Sequence, residues 1–426
     1  MDYCIKERIQ RAIVAFCCFN IVLFLFVSYH QKINIRGADG QMYYAYVRSA
    51  VIDSDLDFKN EFIELTPFPA SVANQPTSPK TNHTTNRYPI GYSLSSLPFF
   101  ILAHSLTWIG LKMHLWNFSL DGYSYFYNLL VPFGQVIYAL LGFIFSYRFL
   151  SFYFEKERAL LAIVTIWLGS NLIFYATIDT MMPHAGGFFC VSALYYVTMR
   201  LERSGKWKYF LWGGLLSGLL IVMRFSNIIF LIYPIYVLQK IIKSNTKVRP
   251  VIFLGVFLTL GILFLQVLSW KIIFGNYFVY SYGSEGFVWW RPELTKILFS
   301  SNHGLLYWSP VIALSLAGLI VSIIKDRQVV AKLFLSSFLI LLYINASWHD
   351  VGFGHAFGAR AFCEASLIFA FGLAYFFKKI VQNFRLAVMI GSVFILWNFY
   401  LLILFAFDYL PRQGEFPMST LFPFLK

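Results

Sequence analysis

An aspartate that follows the first apolar run of the chain is the residue best placed to do chemistry. The stretch RGADGQMYYAYVRSAVIDSDLDF, Arg36 to Phe58, holds four aspartates and two arginines in a sequence with only 13% charged residues. Read as a helix from about Asp39, it puts Tyr43, Tyr46 and Ala50 on one side, with Tyr44, Val47 and Val51 nearby. Asp39 then stands at the helix start. A carboxylate there can cap exposed backbone N–H groups, or it can act as a general base toward a hydroxyl within hydrogen-bond reach. Asp53, Asp55 and Asp57 follow in a turn-like DSDLDF, which reads as a solvated loop. Three alternating carboxylates could also hold a divalent cation, the one cofactor suggested, although the glycine-centred pattern of a calcium loop is missing.

Other polar residues stand where an apolar chain should not place them. Arg224 lies between two apolar runs, and an intramembrane arginine is costly unless it faces the bundle interior or a water-filled cavity. Arg360 follows WHDVGFGHAFGA and directly precedes an apolar run. Arg87 stands just before YPIG, His184 follows IDTMMP, Glu285 sits in YGSEGFVWW and His303 in SSNHGLLYWSP. Each alone fits an interfacial anchor. Several arginines at one boundary also suit a lipid-phosphate group, which guanidinium grips in planar, bidentate geometry. No GxxxxGK[ST] or GxGxxG turn follows a strand-like run, so a nucleotide-phosphate cradle is not indicated.

A membrane must position these residues. The chain has 426 residues, 58% hydrophobic and 20% aromatic, with a mean hydropathy of +0.64. Soluble domains carry about 25% charged residues, and apolar runs of bilayer length recur throughout, so the class is an all-α polytopic membrane protein. Ala12–Tyr29 has no small-residue cleavage site after it and reads as the first transmembrane helix, not a signal peptide. The net charge of +14 is distributed in short clusters between apolar runs, as cytoplasmic loops require, and does not indicate a nucleic-acid partner. The five cysteines fall in the cytoplasmic tail or within expected helices, so no disulfide framework is indicated.

With the basic clusters inside, the chain threads about eleven times as a single domain over residues 1–426. The expected helices are 12–29, 123–147, 159–177, 185–200, two short ones meeting near Arg224, 251–272, 304–323, 333–346, 361–377 and 387–407. Tyr88–Met113, with two prolines, is expected to lie on the outer surface as an amphipathic helix. The outer loops are then about 30–122, 273–303 and 346–360, and the polar run Asn74–Asn86 is a mobile loop. Asp39, Arg87, His184, Glu285, His303 and Arg360 all map to that side.

The segments GADGQMYYAYVRSAVIDSDLDF, NRYPIGYSLSSLPFFILAH, GLLSGLLIVMRFSNIIFLIYP, YGSEGF, SSNHGLLYWSPVIALSLAGL and SWHDVGFGHAFGARAF resemble, in that order, the GT-C membrane glycosyltransferases, a group that includes the protein O-mannosyltransferases and the lipid A aminoarabinose transferases. The resemblance implies a GT-C-like helical bundle with a long first outer loop. It implies an inverting transfer of a sugar from a polyprenyl-phosphate donor to an acceptor hydroxyl, with the first-loop aspartate, here Asp39, activating the acceptor. Cationic side chains would stabilise the leaving lipid phosphate: Arg360 and Arg224 first, Arg87 and Arg48 next. His184, His303 and His355 would touch phosphate or sugar, and Glu285, Tyr43 and Tyr88 complete the expected substrate contacts. Trp289, Trp290 and Trp348 are candidates for stacking on sugar rings.

Several GT-C members carry an Asp-Glu pair in this loop; here Gly40 follows Asp39, which weakens any role for a second carboxylate. The sequence shows no large C-terminal soluble domain, which favours a glycan or glycolipid acceptor over a protein. The expected setting is a bacterial cytoplasmic (inner) membrane with the site on its periplasmic side, among membrane lipids. A transporter or flippase of a lipid-linked glycan is the competing expectation. It requires polar residues through the bundle depth and repeated broken helices, whereas one break, at Arg224, is visible. An accessory subunit is the third.

Overall fold

The structure is a computed structural model that describes residues 2–65, 74–244 and 249–423. Its helices are α1 (Asp2–Gln31), α2 (Ala38–Arg48), α3 (Gly91–Lys112), α4 (Tyr125–Leu150), α5 (Lys156–Leu168), α6 (His184–Ser204), α7 (Lys208–Met223), α8 (Ile232–Ser244), α9 (Arg249–Phe274), α10 (Leu294–Phe299), α11 (Leu305–Trp308), α12 (Val311–Asp326), α13 (Val329–Ala346), α14 (Ser366–Phe376) and α15 (Phe384–Ala406). Among the described residues there is no β-strand, only two isolated bridges. Eight helical segments there are long and apolar enough to cross a bilayer, and many of their large apolar side chains face outward, as lipid-exposed helices do.

Several expected elements differ from those observed, among them the helix expected over 304–323, which breaks at Ser309 and Pro310. The helix expected over 159–177 stops at Leu168. Gly169, Ser170 and Asn171 break it, and Asn398 Nδ2 satisfies the loose carbonyls of Leu168 and Ser170 at 2.9 and 2.8 Å. Tyr88–Met113, expected on the outer surface, packs along a neighbouring helix. Its 22-residue helix α3 runs antiparallel beside α4, with Ser95 and Ser96 bonded to Gln135 and His104 to Tyr127, and it is itself long and apolar enough to cross. Asn74–Asn86 is a tight turn closed by a Thr77–Thr84 bridge and docked on the end of α9, where the Thr81 hydroxyl donates to the Ile273 carbonyl at 2.6 Å.

The segment around Arg224 follows the expected two-helix form. α7 ends at Met223, Arg224 is extended (φ −156°, ψ 129°), and a 3-10 turn over Phe225–Leu231 leads into α8. The start of α3 rests on this break: a Cβ on Gly91 would stand 2.3 Å from the Val222 carbonyl, so only glycine fits. Gly318 and Gly372 meet in the same way where α12 packs on α14, the close small-residue contact that membrane helices use in place of a hydrophobic drive.

The first loop is tied down by its own polar groups. Arg48 ion-pairs with Asp53 and with Glu61, the latter at 3.0 Å, in a buried setting. Asp55 accepts from the Ser49 hydroxyl at 2.8 Å, and Asp57 from the Thr84 N–H at 2.8 Å. Beyond α15 the chain folds back as a strap. The Ala356 N–H donates to the Arg412 carbonyl at 3.1 Å and the Phe416 N–H to the Ser301 hydroxyl at 2.9 Å.

Candidate active site

The chain enters α2 in a fixed pose. Asn128 Oδ1 accepts the N–H groups of Asn34 and Ile35 at 2.8 and 2.9 Å, and Gly37 then turns the backbone with φ +75°. Gly37 takes the cap position, so Asp39 falls in the first turn and caps nothing. The alternative of a helix-capping aspartate is thereby set aside. Its carboxylate instead accepts the Tyr88 hydroxyl at Oδ1, 2.6 Å, and Arg360 Nη2 at Oδ2, 2.9 Å. Burial pushes this carboxyl up, but the Arg360 charge, the hydrogen bonds from Tyr88 and Arg360 and the Arg87 charge outweigh it and hold it below the usual range. It stays ionised at neutral pH.

Asp39 lies on the wall of a cavity of about 950 Å³. Tyr43, Arg87, Tyr88, His184, Arg224, Glu285, His355 and Arg360 line the same space, so nine of the residues singled out from the sequence come together. Arg87 pairs with Glu285 at 2.7 Å and lies over the Tyr88 ring, while Tyr43 stacks on Tyr88 at 4.3 Å. The 279–287 loop is held over the cavity by a short bridge to 347–349: the Val288 N–H donates to Ser347 at 2.6 Å and the His349 N–H to Gly286 at 3.0 Å. Trp348 reaches the cavity against Tyr282; Trp289 stacks on Phe287 instead, and Trp290 is 87% exposed.

Two expected site residues are elsewhere. Arg48 faces the first-loop carboxylates because the next helical turns bury its side chain against Asp53 and Glu61. His303 sits behind the cavity, its Nδ1 2.8 Å from the Gly352 carbonyl and its ring against Trp308, where it shapes the loop that carries His355. Sequence reasoning also passed over Arg36, Asp179 and Arg412, which line the cavity, and Glu364. Glu364 Oε1 is 3.1 Å from His184 Nδ1 and 3.8 Å from Arg224, so one buried carboxylate ties together two cavity residues from α6 and the α7 break. Its position inside an apolar run, FCEASLIF, was the available signal. Among the described residues no three His, Cys, Asp or Glu side chains converge as metal ligands, so no residues are assigned to a cation.

What the arrangement offers is an ionised carboxylate with lone pairs toward the cavity, beside guanidinium groups able to meet developing negative charge. Residues 127–270 match the family described as dolichyl-phosphate-mannose-protein mannosyltransferase; the matched stretch carries Asp179, His184 and Arg224, and lies between Asp39 and Arg360. No curated protein matches the chain. That match, on a polytopic helical bundle, supports a GT-C type membrane glycosyltransferase.

Proposed function

We propose that the chain transfers a sugar from a polyprenyl-phosphate donor to a hydroxyl of a glycan or glycolipid, with inversion, on the outer face of a bacterial cytoplasmic membrane. The observation that carries this reading is the Asp39 carboxylate, oriented by Tyr88 and Arg360 on the wall of a cavity rich in arginine. Asp39 takes the proton of the acceptor hydroxyl as its oxygen bonds to the anomeric carbon. The bond from that carbon to the phosphate oxygen breaks, and the lipid phosphate leaves with the electron pair. Arg224, whose nearest acid is 3.8 Å away, and Arg87 meet the charge that develops on the leaving group. Arg360 is engaged by Asp39, so its role becomes orientation of the base as well as neutralisation nearby. The family description favours mannose as the first donor to test.

The test is transfer by the purified chain in lipid nanodiscs, given polyprenyl-phosphate mannose labelled in the sugar together with glycolipid extracted from the host membrane. Label should move to the glycolipid with the opposite anomeric configuration, and Asp39→Asn should slow it by about 10²–10⁴-fold. Label that crosses the bilayer still attached to its lipid would instead indicate a flippase.

A further inference from the structure

Two sets of residues meet at the Asp39–Arg360 pair. Arg224, Phe225, Trp270 and Tyr282 form the first, with Phe225 against Trp270 at 5.6 Å beside the lipid-facing helix α9. Arg36, Asp179 and Arg412 form the second, over an aromatic floor of Phe174 and Phe405, whose rings are 5.5 Å apart. We infer that Arg36 and Arg412 of this second set form an acceptor subsite for an anionic group, a carboxylate or a phosphate ester, carried by the glycan or glycolipid and displacing their weak contacts with Asp179 and Asp408. The inference rests on the transferase reading and specifies its acceptor class.

Geometry and charge both support it. Arg36 is three residues before Asp39 on backbone pinned by Asn128, so an anion held there lies beside the base. Among the described residues no carboxylate reaches ion-pair distance of Arg36; Asp179 is the acid that most influences it, and Arg412 opposes its charge. Two guanidinium groups that repel each other across a shared space are relieved by an anion between them. Arg412 lies over the Phe405 ring at 5.5 Å, its backbone fixed to Ala356. Its partner Asp408, at 2.8 Å, is 69% exposed, and such a pair contributes little and is readily exchanged for a ligand. The remaining acid, Asp350, is occupied by the N–H groups of Gly352 and Gly354 at 3.1 and 2.9 Å. Arg412 is 55% exposed, so this end of the cavity opens to water, the side from which a polar acceptor arrives.

The test uses the full-length chain in nanodiscs and tryptophan fluorescence to measure binding of four probes: methyl glucuronide, methyl glucoside 6-phosphate, uncharged methyl glucoside and farnesyl phosphate. Wild type should bind at least one anionic glycoside at least tenfold more tightly than methyl glucoside, and whichever is tighter tells carboxylate from phosphate. Arg36→Gln and Arg412→Gln should each reduce that preference at least fivefold, with Arg36→Lys and Arg412→Lys retaining most of it. Farnesyl phosphate binding should be unchanged in all four variants, which shows that they fold. Equal binding of charged and uncharged glycosides by wild type, or a preference that survives both glutamine variants, overturns the inference. Those outcomes leave the transferase reading intact if Asp39→Asn still abolishes transfer; anion binding through Arg36 in a chain that transfers nothing would refute the transferase reading alone.

Discussion

The Tyr88 hydroxyl and Arg360 Nη2 hold the two oxygens of one carboxylate, Asp39, at 2.6 and 2.9 Å, although Arg360 lies 321 residues further along the chain. Neither oxygen can rotate without losing a charge-assisted bond, so the carboxylate is presented to the cavity in one orientation. The Arg360 charge is the main force holding Asp39 below its ordinary value against burial. A carboxylate held low keeps its proton off until the pH falls below the usual carboxylate range, so the acid limb of the rate profile should lie there. In Arg360→Gln burial is left less opposed, and the limb should move to higher pH while the maximal rate falls. A pH–rate series on both proteins checks this; superimposable limbs would contradict it.

Tyr88→Phe removes a single neutral donor and leaves the ring stacked on Tyr43. The expected loss in kcat is about ten- to a hundredfold, smaller than for Asp39→Asn, because one hydrogen bond to a charged group contributes roughly 1.5–3 kcal/mol. Steady-state kinetics at saturating donor separates the two.

Arg48 should behave as a structural residue. Its truncation to alanine takes the cation from Asp53 and Glu61, a loss expected to cost about 3–5 kcal/mol. Thermal unfolding should fall clearly, while whatever protein remains folded retains its KM. A changed KM at unchanged stability would return Arg48 to the substrate contacts.

Burial pushes the Glu61 carboxyl up to about 7, with Arg48 opposing that shift. A group raised on folding stabilises fully below its unfolded value near 4.5, and the contribution is lost as pH rises through about 7. Between pH 5 and 8 wild type should therefore lose more stability than Glu61→Gln, by on the order of 3 kcal/mol at most. Melting curves of the two at several pH values read the difference, and parallel curves would refute it.

Glu364→Gln keeps the shape of the buried link to His184 and Arg224 but removes its charge. The expected effect is a rise in KM for the lipid-phosphate donor of about tenfold, with smaller change in kcat, since Arg224 loses the acid that positions it. An unchanged donor KM would make Glu364 a packing residue.

Much of this was legible in the residues. The break at Arg224, the spans around it and the gathering of Asp39, Arg87, Glu285 and Arg360 at one end follow from where charge interrupts apolar runs. Which way a charged side chain faces does not follow. Arg48 and Arg36 flank the same helix, yet one is folded into the first loop and the other lines the cavity, because the choice depends on partners 13 residues and more than a hundred residues away. Glu364 was hidden for the same reason: a buried acid announces a partner without naming His184. The serines and His104 of helix α3 look like a solvated polar face in the sequence. In the fold they bond to Gln135 and Tyr127 on α4.

The most direct measurement compares lipid-linked sugars and surface glycans of cells that carry wild type or Asp39→Asn at matched protein levels. The variant should accumulate polyprenyl-phosphate sugar, and its glycan should lack one residue, whose identity names the donor. Identical profiles, in a host where loss of the chain does change the glycan, would contradict the assignment of Asp39 as the base.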